Sequence, residues 1–245
     1  MTRGWTAVYL RELLILKRRL PKLLPTWSVS PLLYLIAFGY AVGRHVDVGS
    51  HSYLEFLLPG LVAMASMTQA YAVASEINIA RFYWHIFDEF QAAPISNLAY
   101  VMGEVLAGMT RAFLASLVIL LLGACFGVVL FYGPMFWIAL LLNSFVFASL
   151  AVGCAMHVKS HADQTLLTNF IITPMAFLGG TFFPLSHLPG WGQTLLELLP
   201  LTHASHAVRA AAFQEPAQVI DFLVLIGAGG LCFLFAILSV NRAKV

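Results

Sequence analysis

His203 and His206 lie three residues apart in "LPLTHASHAVRAAAF", with His187 upstream, and imidazoles so placed are the first candidates for metal chemistry. No acidic or cysteine ligand completes a set, so a metal site is not expected. Cys125, Cys154 and Cys232 stand in apolar surroundings without a CxxC pair and read as buried free thiols. Hydrolytic chemistry has no scaffold, because neither Gly-x-Ser-x-Gly nor His-Glu-x-x-His occurs. Gly-Lys-Ser/Thr is missing too, and with it the loop that cradles nucleotide phosphates. What remains are polar groups set in apolar sequence. Glu104 and Arg111, seven apart, share a helix face and could form an ion pair or line a pathway. Alternatively, Arg111 snorkels at a membrane edge, and Glu76 has the same status. Asn169, Thr173 and Thr181 either face a pathway or bond neighbouring helices. His157, His161 and Asp163 read as a solvated connector.

A second kind of chemistry, recognition, is written in "FYWHIFDEFQAAPIS", Phe82 to Ser96. On a helical wheel Phe82, Tyr83, Ile86, Phe87 and Phe90 share one arc, and Arg81, His85, Asp88 and Glu89 the other. Pro94 ends that helix, and Ser96 or Asn97 can cap the next. Such a helix fits a partner's groove, with aromatics as anchors and carboxylates setting register. The alternative is a helix resting on lipid, which two acidic residues against an anionic leaflet disfavour.

The elements that position these groups are apolar. The chain is 60% hydrophobic and 10% charged, where a soluble domain carries about 25% charge. A net charge of +2 is too small to imply nucleic acid. Uncharged runs predict six membrane helices over 24–43, 56–76, 99–130, 135–157, 164–183 and 221–241. Tyr132-Gly133-Pro134 turns the chain between the third and fourth. The fold class is an all-α integral membrane protein. Arg3, Arg11, Lys17, Arg18, Arg19 and Lys22 precede the first span, and Arg81, Lys159, Arg242 and Lys244 fall on the same side. Only Arg44 and Arg209 fall opposite, which puts both termini in the cytoplasm.

Three further segments frame the spans. Over 5–20, Trp5, Tyr9, Leu13, Leu16 and Leu20 share a face while Arg11 and Arg18 project opposite. Lys17 intrudes on the apolar arc. A basic helix of this kind lies in the interface plane, and Pro21 and Pro25 are expected to separate it from the first span. After the fifth span, Gly179-Gly180, Pro184, Pro189-Gly190 and Pro200 divide the sequence into pieces too short to cross a bilayer. Over 187–213 these read as two short re-entrant helices hinged at Leu199-Pro200. Leu195, Leu196, Leu198 and Leu199 are expected to pack on the fifth and sixth spans, with Glu197 turned toward water or Arg209.

"ITPMAFLGGTFFPLSHLP" followed by "LPLTHASHAVR" resembles the end of the fifth span and the exterior helices of type 2 ABC-transporter permeases. The polysaccharide, nodulation-factor and drug-export systems are the most similar. "YLEFLLPGLVAMASM" resembles the start of their second span, and "FDEFQAAPIS" their coupling-helix segment. The resemblance covers essentially the whole chain. It implies that 5–20 is an interface helix, with Arg11, Lys17, Arg18 and Arg19 on it. It also implies that 82–93 is a coupling helix, in which Phe82, Ile86, Phe87, Asp88, Glu89, Phe90 and Pro94 engage a cytoplasmic ATPase. Gly179, Gly180, Pro184, Pro189 and Pro200 would then form an exterior gate. The chain would work in a bacterial inner membrane as a homodimer, or as a heterodimer with a relative, on two copies of an ABC ATPase subunit. ATP and Mg would bind that partner, and this chain would hold no cofactor. Export, and a path lined mainly by spans one, two and five, also follow from the resemblance. Few charges in the spans suit an amphipathic or lipid-linked substrate. An ion-coupled secondary transporter is the alternative, but it needs internal repeats and midplane ionisable groups that the sequence lacks.

Overall fold

Ser52 opens the helix at the centre of the fold. Its hydroxyl accepts from the Glu55 amide while the Glu55 carboxylate accepts from the Ser52 amide, a reciprocal cap. The computed structural model describes residues 4–42, 47–48, 51–84, 86–158, 160–185 and 188–243, without the side chains of 40–42, 47–48, 88 and 91. Arg3, Arg44, His85, Lys159, His187, Lys244 and the Asp88 side chain therefore lie outside the described residues. A short antiparallel pair, β1 (Asp47–Val48) and β2 (His51–Ser52), leads into the cap.

From Ser52, α2 (Tyr53–Tyr71) and α3 (Val73–Phe82) run on with one turn at Ala72. α2 is apolar and buried all round, which makes it the core of the bundle. α5 (Asn97–Cys125), α6 (Pro134–His157) and α11 (Val219–Arg242) surround it or extend the layer. Glycines let these helices approach closely. A Cβ on Gly108 would lie 2.9 Å from Ala148 Cβ and 3.2 Å from the Ala70 carbonyl, so α5, α6 and α2 meet there. Asn143 of α6 donates to the Ala63 carbonyl and Ser66 hydroxyl of α2, at 3.0 and 2.6 Å. α5 ends five residues before the expected boundary at 130. Gly127 takes φ 81° and the Val128 amide bonds the Gly123 carbonyl at 2.9 Å, a left-handed glycine stop.

Among the described residues, four helical segments are long and apolar enough to cross a membrane: Tyr53–Phe82, Asn97–Cys125, Pro134–His157 and Val219–Arg242. The other two expected spans take different forms. The first belongs to α1 (Gly4–Ile36), a single 33-residue helix continued by a π-helical stretch over Ala37–Val42. The break expected at Pro21 and Pro25 does not occur, and Pro31 is inside the helix as well. Packing overrides the local cost. α1 advances parallel to α5, with Gly4 against Ala99, Val8 against Gly103, and Leu16 and Trp27 clustered on Ala115. The Tyr9 and Thr110 hydroxyls are 2.9 Å apart. The Thr26 and Ser28 hydroxyls donate back to the Lys22 and Leu24 carbonyls one turn earlier.

The fifth expected span is α7 (His161–Leu167), a π-helical stretch Thr168–Ile172 and α8 (Thr173–Leu178). Pro174 offers no amide to the carbonyl four residues back, and the helix widens just ahead of it. Beyond it lie α9 (Gly190–Glu197) and α10 (Pro200–Ala212), which meet at the expected Leu199-Pro200 hinge. α10 is wedged among α2, α6 and α11, whereas α9 stays outside. The expected packing of four leucines is thus corrected. Leu196 is buried, but Leu195 and Leu198 are 57% and 76% exposed. Cys125 is exposed rather than buried.

Candidate functional site

At one end of the bundle the chain leaves α3 through Tyr83 and Trp84 and enters α4 (Ile86–Ala92). The expected 82–93 helix is therefore divided, and the turn shifts the phase of its aromatic arc. Phe87 packs inward, 5% exposed, edge-on to Tyr100 of α5 with ring centroids 5.5 Å apart. Phe90 lies against the same ring at 5.3 Å and carries the Arg11 guanidinium over its face at 5.4 Å. Arg81 sits over Phe82 and Phe87 and donates to the Met156 carbonyl at the end of α6, at 2.7 Å. These contacts fasten α4 to the bundle. Phe87 and Phe90 are thus internal anchors, not the partner-facing pair expected from the wheel. The aromatics left outside are Phe82, Tyr83 and Trp84, the last two 69% and 52% exposed. Ile86 is half-buried, Glu89 and Pro94 are exposed, and Ser96 caps α5 by accepting from the Ala99 amide.

Behind α4 lies an ionic junction of α1, α3 and α5. Arg111 does not pair with Glu104 as their spacing allowed. Its Nη1 lies 2.6 Å from Glu76 Oε1, and Arg19 reaches the same oxygen at 3.4 Å. Position explains the choice, since Glu76 faces Arg111 across the helix contact while Glu104 lies two turns down α5, buried beside Tyr100, Glu12 and Arg11. Arg11 is drawn inward to pair with Glu12 instead of projecting to solvent, while Lys17, Arg18 and Arg19 remain exposed. Burial pushes the Glu12 carboxyl above the ordinary glutamate range, against the pull of Arg11. Glu12 and Tyr100 went unread in the sequence because both match an amphipathic pattern and only the fold brings them together.

Next to this junction a cavity of about 350 Å³ opens between α1, α2, α3, α5 and the α7–α8 segment. Trp27, Tyr34, Tyr71 and Phe177 supply aromatic walls, and Ser30, Gln69, Ser75 and Thr173 supply neutral polar groups. No charged side chain lines it among the described residues. Thr173 lines this cavity, while Asn169 is exposed and lies off it.

The opposite end is built round the turn after α8. Gly180 takes φ 73°, a conformation that favours glycine, and a Cβ on Gly179 would meet Leu201 Cδ2 at 2.7 Å. Tyr53 donates to the Phe182 carbonyl at 2.7 Å, and Arg209 Nη2 to the Gly180 carbonyl at 2.8 Å. Arg209 also lies 3.9 Å over the Phe56 ring, so its charge is turned inward and not toward Glu197, which is exposed. Pro184 is half-buried, Pro189 caps α9 and Pro200 occupies the first turn of α10. His203 is engaged twice, by Asp221 of α11 and by the Glu197 carbonyl.

With this geometry in place, residues 4–213 match the family model described as ABC-2 type transporter. The inner membrane transport permease YadH of Escherichia coli (strain K12) is 30% identical over 184 residues, covering 71% of this chain and 69% of that one. Nodulation protein J of Rhizobium meliloti (strain 1021) is 31% identical over 237 residues, covering 94% of this chain and 87% of its own. Nodulation protein J of Rhizobium leguminosarum bv. trifolii is 29% identical over 243 residues, covering 96% and 89%.

Proposed function

The chain belongs to the ABC-2 type transporter family, and from that premise we propose that it is the permease half of an ATP-driven exporter for an amphipathic or lipid-linked substrate. Members of the family are membrane permeases that work with an ATPase subunit and do not themselves hydrolyse ATP. The observation that carries the reading is the charge-free, aromatic-walled cavity between α1, α2, α5 and α7–α8. An apolar chamber with a few neutral polar groups suits a molecule with a greasy tail and an uncharged polar head.

In this account six segments span a bacterial inner membrane with both termini in the cytoplasm, the α4 end inside and the α10 end outside. Two copies of the chain pair, and two ATPase subunits dock below them on α4 and the first turns of α1. Phe82, Tyr83, Trp84 and Glu89 form the docking surface, while Phe87 and Phe90 convey its motion to α5 through Tyr100. ATP and Mg bind the ATPase, whose closure shifts the population from inward-open to outward-open. The turn Gly179–Phe182 and α10 close the outer end.

Inverted membrane vesicles containing the chain and its ATPase test this. A fluorescent polyprenyl-linked glycan added to the exposed leaflet should become protected from dithionite when ATP is supplied. Protection driven by a proton gradient without ATP would instead identify an ion-coupled carrier.

A further inference from the structure

Gln69 stands where the ionic junction meets the cavity. Its carboxamide oxygen accepts from Arg111 Nε at 3.2 Å, while the same guanidinium holds Glu76 at 2.6 Å. Arg111 can only donate, so the oxygen of Gln69 must face it and the amide nitrogen must point away. Gln69 lines the cavity, and among the described residues its Nε2 has no protein partner. A half-buried N–H donor is therefore held, in a fixed sense, at the wall of a charge-free chamber.

The charges around it define what that donor can meet. Arg111 also lies 5.9 Å over the Trp27 ring and so occupies one face of that aromatic. The guanidinium behind Gln69 disfavours a cationic head, and Glu76 cancels enough of its charge that the chamber holds no free cation for an anionic one. The complement is a neutral head with an oxygen acceptor.

We propose that Gln69 is a specificity-determining residue of the permease: oriented by Arg111, its amide N–H selects substrates carrying an uncharged carbonyl, ether or hydroxyl oxygen near the head of an apolar chain. This rests on the reading of the cavity as the substrate chamber.

The test uses the full-length chain in lipid nanodiscs with Cys125, Cys154 and Cys232 replaced by Ser, and Ser30→Cys as the reporter on the opposite wall. N-ethylmaleimide labelling of that cysteine is measured against N,N-dimethyloctanamide, a neutral acceptor, and octyltrimethylammonium, a cation of equal chain length. The amide should protect at about tenfold lower concentration than the cation, the order expected for one neutral hydrogen bond. Gln69→Met, which keeps the volume, should bring the two probes to parity. Gln69→Glu keeps the Arg111 contact but turns the donor into an acceptor, and should favour the cation. Each preference is a ratio within one protein, so a lower yield of folded variant does not alter it. An unchanged preference in both variants, or a preference for the cation with Gln69 intact, overturns the role of Gln69 and leaves the chamber standing. Failure of both probes to protect in every background overturns the chamber itself, and this inference with it.

Discussion

His203 Nδ1 lies 2.7 Å from Asp221 Oδ1, and its Nε2 lies 2.8 Å from the Glu197 carbonyl oxygen. Each ring nitrogen thus meets an oxygen of a different element, one a carboxylate and one a backbone carbonyl. The pair is buried, and it ties α10 to the first turn of α11 and to the end of α9. His203→Phe or Asp221→Leu leaves the other buried polar group without its partner and should cost about 1–3 kcal/mol. The expected readout is a lower thermal midpoint in detergent, with the double variant less impaired than the sum of the singles. Strict additivity would mean that the two residues are not coupled.

Gly60 is the contact point between α2 and the turn after α8. A Cβ there would stand 2.7 Å from the Thr181 carbonyl oxygen and 2.9 Å from Thr181 Cα, and backbone cannot swing aside as a side-chain tip can. Gly60→Ala should destabilise by about 1–3 kcal/mol and raise proteolysis near Gly180. Gly230→Ala on α11 is the control, since nothing lies within 4 Å of the added carbon. It should be neutral, or stabilising by up to about 1 kcal/mol from helix propensity. Equal effects at the two glycines would contradict the close approach.

Division of the expected coupling helix separates two kinds of aromatic. Phe87→Ala empties a buried site against Tyr100 and should destabilise the chain by about 3–5 kcal/mol. Tyr83→Ala and Trp84→Ala remove exposed rings and should leave the melting temperature unchanged. Each should weaken ATPase association by about 2 kcal/mol. Retained association in both exposed-ring variants would move the docking surface elsewhere.

The Arg111–Glu76 contact predicts a charge requirement at the junction of three helices. Arg111→Met should lower stability and also loosen α1, read as faster hydrogen exchange around Leu16 and Leu20. Glu76→Gln in the Arg111→Met background should restore part of that loss, because it removes a carboxylate left with only the longer Arg19 contact. No restoration would assign Glu76 to Arg19 alone.

How far the sequence carried can be judged residue by residue. Charge-free runs located α2, α6, α11 and the second half of α5, since a helix in lipid is apolar over most of its length. Gly179-Gly180 and Leu199-Pro200 were legible because glycine and proline act through their own backbones. The continuity of α1 was not, because the proline penalty is local whereas the α5 contacts that outweigh it include one 101 residues away, Tyr9 to Thr110. Arg111 was read either with Glu104 on its own helix or as snorkelling at a membrane edge, and its partner Glu76 came from α3. Phe87 and Phe90 were read as outward because one wheel was drawn through a turn at Tyr83 and Trp84. Asp221, adjacent to Phe222 at the start of the last span, gave no local sign that it would meet His203.

The central claim is that a separate ATPase controls access to the chamber between α1, α2, α5 and α7–α8. Its most direct test is the labelling rate of Ser75→Cys, a chamber residue, in the permease–ATPase complex with native cysteines replaced. A membrane-permeant maleimide should react in the nucleotide-free complex and several-fold more slowly once ATP is trapped with vanadate. Equal rates in both states, in a complex that still hydrolyses ATP, would contradict the account.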